Sequence, residues 1–142
     1  MADTEQALAQ FKAFYDGFSP AWVERLEELY APSFAFKDPF HAIEADFPAL
    51  RAYFTRVLTA LAFNKFIVDD VATGRDGSYA RWRWEWKRKD RDPLRTVVGT
   101  THLRFAADGK IAFHHDIFDA AEGFYETLPL LGGALRMVKK RL

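Results

Sequence analysis

The chain has 142 residues, 49% of them hydrophobic and 16% aromatic, and its 20 Lys+Arg balance 20 Asp+Glu. That length suits a single domain, 1–142, with a real core, and the even charge offers no field to draw in nucleic acid or an anionic membrane, so neither is expected as a partner. With no Cys, disulfides, thiolate metal sites and a cysteine nucleophile are excluded; no apolar run reaches the length of a bilayer span, and the opening Met1-Ala2-Asp3 lacks the basic and apolar regions of a leader, which points to the cytoplasm.

Asp3 and Gln6 are spaced as a capping box, and Leu8, Phe11, Phe14/Tyr15 and Phe18 follow at helical spacing, so a first helix runs to Gly17. Ser19-Pro20 restarts a helix, with Ser as N-cap and Pro at the first helical position, carrying Trp22, Leu26, Leu29 and Tyr30 to a stop at Ala31-Pro32. Ser33–Asp38 alternates with period two, which puts Phe34, Phe36 and Asp38 on one face of a short strand that ends at Pro39. A third helix starts near Asp46 with Pro48 in its first turn and aligns Leu50, Phe54, Val57 and Leu61. Four β-runs follow, Asn64–Ala72, Ser78–Lys89, Leu94–Ala106 and Lys110–Phe118. Asp76-Gly77 and Asp108-Gly109 mark two of their turns, since such pairs supply the positive φ a hairpin needs. Asp119-x-x-Glu122 caps a short helix, and an amphipathic segment from Pro129 ends in Lys139-Lys140-Arg141, where cations favour a helix C-terminus.

This order predicts an α+β cone, a curved antiparallel sheet wrapped round three N-terminal helices with the C-terminal helix at its rim. A cone of that kind is hard to fill with side chains and tends to enclose a pocket.

Phe36-Lys37-Asp38-Pro39, Leu103–Ile111 and His114–Asp119, in this order of elements, resemble the SnoaL-like branch of the nuclear transport factor 2-like superfamily. The resemblance covers nearly the whole chain and implies the cone fold just described. Relatives that are ketosteroid isomerases imply a general base at Asp38, in the Asp-Pro pair. Their oxyanion donors, a helix-one Tyr and an Asp on a late strand, fall at about Phe11 or Phe14 and at Thr101, so the donor pair is missing. Limonene epoxide hydrolases imply an Arg-x-acid pair at Arg83 and Glu85 and a further acid at Asp116.

Catalytic candidates are therefore Asp38, Arg83, Glu85 and Asp116, and ligand-binding candidates are Phe36, Phe54, Thr101, His114 and Phe118. If Asp116 faces the cavity, period two puts His114 and Phe118 beside it. Desolvation and a neighbouring Arg would push paired carboxyl groups apart into an acid and a base. The alternation of Arg81, Arg83, Glu85 and Lys87 with Trp82, Trp84 and Trp86 leaves two arrangements open: charges into the cavity with the Trp residues outside, or Trp inside and charges in solvent. The sequence reading is a cofactor-free, metal-free protein that binds a small apolar molecule and pairs as a homodimer through its sheet. It acts as an isomerase-like or epoxide-hydrolase-like enzyme, or else as a non-catalytic ligand-binding or dimerisation module.

Overall fold

Two glycines set the hairpins of the long meander. In the computed structural model, which describes residues 3–142, Gly77 has φ +132° and Gly109 has φ +85°. A side chain at Gly77 would also meet the Leu103 carbonyl oxygen at 2.3 Å, so that turn needs glycine for both its backbone and its neighbour. The turn sits one residue earlier than the Asp-Gly pattern predicts: Gly74 pairs with Gly77, leaving Arg75-Asp76 at the centre. Met1 and Ala2, the head of the segment read as lacking a leader, lie outside the described residues.

The elements in chain order are α1 (Thr4–Asp16), α2 (Pro20–Val23), α3 (Leu26–Leu29), β1 (Tyr30–Lys37), β2 (Ala42–Glu44), α4 (Phe47–Ala60), β3 (Phe63–Gly74), β4 (Gly77–Lys87), β5 (Arg95–Phe105), β6 (Ile111–Phe118), α5 (Ala120–Gly123), a 3-10 turn (Tyr125–Thr127) and α6 (Leu131–Lys140). One sheet runs in the order β2-β1-β6-β5-β4-β3. The meander β3 to β6 is antiparallel, whereas β1 lies parallel to β6 and meets it through Phe36↔His114. Ladder irregularities at Val68/Asp70, Arg104/Phe105 and Tyr30/Ala35 bend the sheet into its cone. At the first of these, α1 is tied to β3, because the Val68 amide donates to Asp16 Oδ1 at 2.8 Å.

The predicted caps at Asp3 and Asp119 are present, Ser19 makes no side-chain cap bond, and Asp46 supplies a further cap to α4. Asp3 accepts from the Glu5 amide, Asp46 from Ala49, and Asp119 from both Ala121 and Glu122. The second predicted helix differs: it breaks at Glu24-Arg25 into two single turns, and the strand begins at Tyr30 instead of Ser33. Pro32 explains the early change, since it disfavours helix at Ala31 and has no N–H to give a ladder, in keeping with the register jump between Tyr30 and Ala35.

The core lies between the concave face of the sheet and α1 and α4. Phe14, Leu26, Tyr30, Phe34, Leu50 and Leu103 are fully buried there. Trp82, Trp84 and Trp86 join them, at 1%, 8% and 2% exposure, so the tryptophans face inward and the charges of β4 face out. Among the described residues no helix is long and apolar enough to cross a membrane.

Candidate active site

Asp38 is placed by the end of β1. Phe34 and Phe36 point into the cone, and the chain leaves the ladder one step later at Asp38-Pro39, keeping the carboxyl in phase with the two rings. The bend is held by the carboxyl itself: Oδ1 accepts from the Phe40 and His41 amides, both at 2.8 Å, while the Asp38 amide donates to the His41 carbonyl at 3.0 Å. Oδ2 accepts from the Tyr53 hydroxyl on α4. Three of the four acceptor directions of the carboxylate are thus filled, leaving one. Burial raises the Asp38 pKa; the Tyr53 hydroxyl and the two amides oppose this, and Asp116 adds to it. Tyr53 is itself pushed up, by burial first and then by Asp38, so it keeps its proton as a donor.

Asp116 rises from the concave face of β6, flanked by His114 and Phe118 as period two requires. The Trp82 indole N–H can only donate, so at 2.8 Å it fixes the Thr101 hydroxyl as its acceptor, and Thr101 must turn its own hydrogen to Asp116 Oδ1 at 2.5 Å. Tyr15 donates to Oδ2 from α1. His114 Nε2 lies 2.9 Å from Asp116 Oδ1 and 3.0 Å from the Tyr15 oxygen. It faces acceptors on both sides and must carry the ring hydrogen, so in the neutral ring Nδ1 accepts from Tyr30 at 2.7 Å. Burial, then Asp116, raises the Tyr15 and Tyr30 hydroxyls well above the usual phenol range, which keeps both as donors.

Both carboxylates line one cavity between the helices and the sheet. Phe18, Phe54 and Val57 form its helical side, Phe36, Phe66, Trp82, Trp84 and Phe118 its sheet side, and Tyr15 and Tyr53 bring two hydroxyls. It is narrow, with a volume of about 50 Å³. Among the described residues no Lys, Arg or His lines it. In such surroundings a single unfilled lone pair on a carboxylate faces little competition from water, and its basicity is set by the protein.

Of the sequence candidates, Asp38, Asp116, Phe36, Phe54 and Phe118 meet in this cavity, while Thr101 and His114 lie fully buried beneath Asp116 and hold it in place. Arg83 and Glu85 do not join them. They lie on the outer face with Arg83 exposed, because β4 gives its concave positions to the tryptophans. The arginine expected beside Asp116 is replaced by three other hydrogen-bond donors: Tyr15, Thr101 and His114. The helix-one donor is also corrected. Phe11 and Phe14 are packed in the core at 1% and 0% exposure, and the hydroxyl that reaches the cavity is that of Tyr15. Tyr15, Tyr30 and Tyr53 are the residues the sequence reading missed. Their signal was their position on otherwise purely apolar stripes, where a buried hydroxyl needs a partner.

A sequence profile described as the SnoaL-like domain matches residues 11–114, and no curated protein matches the chain. Solved structures repeat the fold. An NTF2-like protein of unknown function from Exiguobacterium sp. 255-15 is 21% identical with a TM-score of 0.68, covering 80% of this chain and 98% of that one. A protein from Jannaschia sp. CCS1, provisionally described as a SnoaL-like polyketide cyclase, is 16% identical with a TM-score of 0.66, covering 81% and 86%. A hypothetical protein with a ketosteroid isomerase-like fold from Catenulispora acidiphila DSM 44928, crystallised with trimethylamine, is 14% identical with a TM-score of 0.70, covering 85% and 91%.

Proposed function

The chain belongs to the SnoaL-like domain family, and on that premise we propose that its cone holds a small, largely apolar molecule and performs cofactor-free acid–base chemistry on it. The observation that carries this reading is a pair of buried carboxylates in one aromatic cavity, each wrapped by three donors and each with one acceptor direction left. The reaction it supports best is removal of a proton from a carbon next to a carbonyl. Asp38 takes the proton on its unfilled lone pair, and the electron pair moves to the carbonyl oxygen. Tyr15 turns its O–H from Asp116 to that oxygen while Thr101 and His114 keep Asp116 fixed. Returning the proton to another carbon is isomerisation; attack of the carbanion on a second carbonyl is ring closure, the reaction class of a cyclase. Water addition to an epoxide has less support, because Arg83 and Glu85 are outside the cavity.

An activated benzisoxazole tests this without knowledge of the substrate, since its ring opens to a coloured phenolate when a base removes its C–H proton. Asp38→Asn lowers that rate by about a hundredfold or more, and Tyr15→Phe lowers kcat by about a hundredfold with KM little changed. Wild-type turnover no faster than that of free acetate would sink the reading. A non-catalytic binding module is the second reading, supported by the narrowness of the cavity and by the fact that each of its hydroxyls already has an acceptor. It expects no turnover and an Asp38→Asn variant that binds as wild type does.

The proposal includes a second copy of the chain on the outer sheet face. Val98 and Ile117, diagonal neighbours on that face, are half exposed, at 50% and 52%, which supports it.

A further inference from the structure

At its mouth the cavity opens into a wider groove, with which it shares Phe40, Tyr53, Val57 and Trp84. The cavity holds about 50 Å³ and the groove about 340 Å³. It runs on past Leu61 and Phe124, and among the described residues no Asp or Glu lines it. Its basic lining is Arg56 and His41. Arg56 lies 5.8 Å above the Tyr53 ring and makes no ion pair among the described residues. Behind Phe124 stands a second guanidinium, Arg88, 5.7 Å from that ring and 5.8 Å from Trp86. Its Nη2 and the neighbouring Trp86 Nε1 are buried donors with no acceptor among the described residues. Arg56 therefore stands in the outer part of an apolar passage whose inner end carries two acids, and Arg88 lies behind one of the rings that line it.

That polarity selects an orientation. An anion is repelled from the inner end, where Asp38 and Asp116 line one cavity, and attracted to Arg56 in the groove. An apolar molecule with one anionic end enters tail first and stops with its charge at the mouth. The inner cavity is also too small for more than a few heavy atoms, so a ligand of ordinary size must extend into the groove. We propose that the ligand is a free small-molecule acid, with the reacting carbonyl at the end of an apolar body lodged between Asp38 and Tyr15 and a carboxylate held at Arg56. This rests on the acid–base reading of the cavity and names the substrate class for it.

Decanoate, decanol and decylamine share one slender body and differ in end charge, and calorimetry on the full chain ranks them. At low salt the acid binds about tenfold tighter than the alcohol and the amine weakest, and the gap closes in high salt as exposed charges are screened. Arg56→Gln weakens the acid about threefold and Arg56→Glu about tenfold, with the alcohol within about twofold of wild type. Arg88→Gln weakens the acid by a smaller factor, and thermal melts confirm that each variant is folded. If the alcohol binds as tightly as the acid, or the acid ignores Arg56→Glu, the substrate class is wrong while the cavity stands. If none of the three binds, the cavity reading fails and takes this inference with it.

Discussion

Asp38 is a buried carboxyl with a structural task, and the proposed function gives it a chemical one as well. The two backbone amides on Oδ1 hold the bend after β1, while burial raises its pKa from the ordinary 3.8. A raised carboxyl binds more protons folded than unfolded between those two values. Its contribution to stability is thus present below 3.8 and lost as pH rises through the folded value. Asp38→Asn removes the titration but keeps an oxygen for both amides and offers N–H groups to the Tyr53 oxygen. The variant should melt at or above wild type at neutral pH, with the gap closing as the solution is taken below the aspartate range. A gap that widens in acid would show that the carboxyl is not destabilised by burial. If Asp38 is the base proposed above, only its ionised form works, and kcat/KM should climb with pH through a value above that of a free aspartate.

At the scale of the element, β4 and β5 form the floor of the site through one close approach. Gly99 lies opposite Trp82, and a Cβ there would meet the indole at 2.4 Å. Gly99→Ala must push the Trp82 ring off its seat, at about 1–3 kcal/mol of overpacking, and with it the indole N–H that fixes the Thr101 hydroxyl. Lower melting temperature, altered near-UV dichroism and reduced turnover are expected together. Unchanged dichroism would mean that the strand yields and the ring stays. This contact also explains why the inward face of β4 was not legible in the sequence. Alternating Trp and charge fits either face, and the decision rests with a glycine seventeen residues away across a ladder. The hairpins were legible because Gly77 and Gly109 act locally, and Asp38 and Asp116 because each continues the phase of its own strand. Tyr15 was not legible as a site residue, because helical spacing puts Phe11, Phe14 and Tyr15 on one stripe without saying which of them faces the cavity.

For the molecule as a whole, the inward tryptophans leave the outer sheet face to Arg81, Arg83, Glu85, Val98, Thr100 and Ile117. A second copy seated there would cover the two half-exposed aliphatics and leave the cavity mouth, on the helical side, open. Light scattering should give twice the chain mass, falling to the chain mass in a Val98→Lys, Ile117→Lys double variant that melts as wild type does. A wild-type chain that is monomeric at micromolar concentration would rule the pairing out.

The parallel pairing of β1 with β6 has a consequence for assembly. Asp38 sits at the end of the first long strand and Asp116 on the last, and the hydrogen bond from Tyr15 to Asp116 closes a loop of 101 positions. Contacts of that span carry the largest loop-closure entropy and form after local hairpins. The meander β3 to β6 can therefore zip by neighbouring turns while the two carboxylates are still apart. On the function proposed for the site, a chain emerging from the ribosome lacks its pair of carboxylates until β6 has been released and docked, and every unfinished copy is without the proposed acid–base centre.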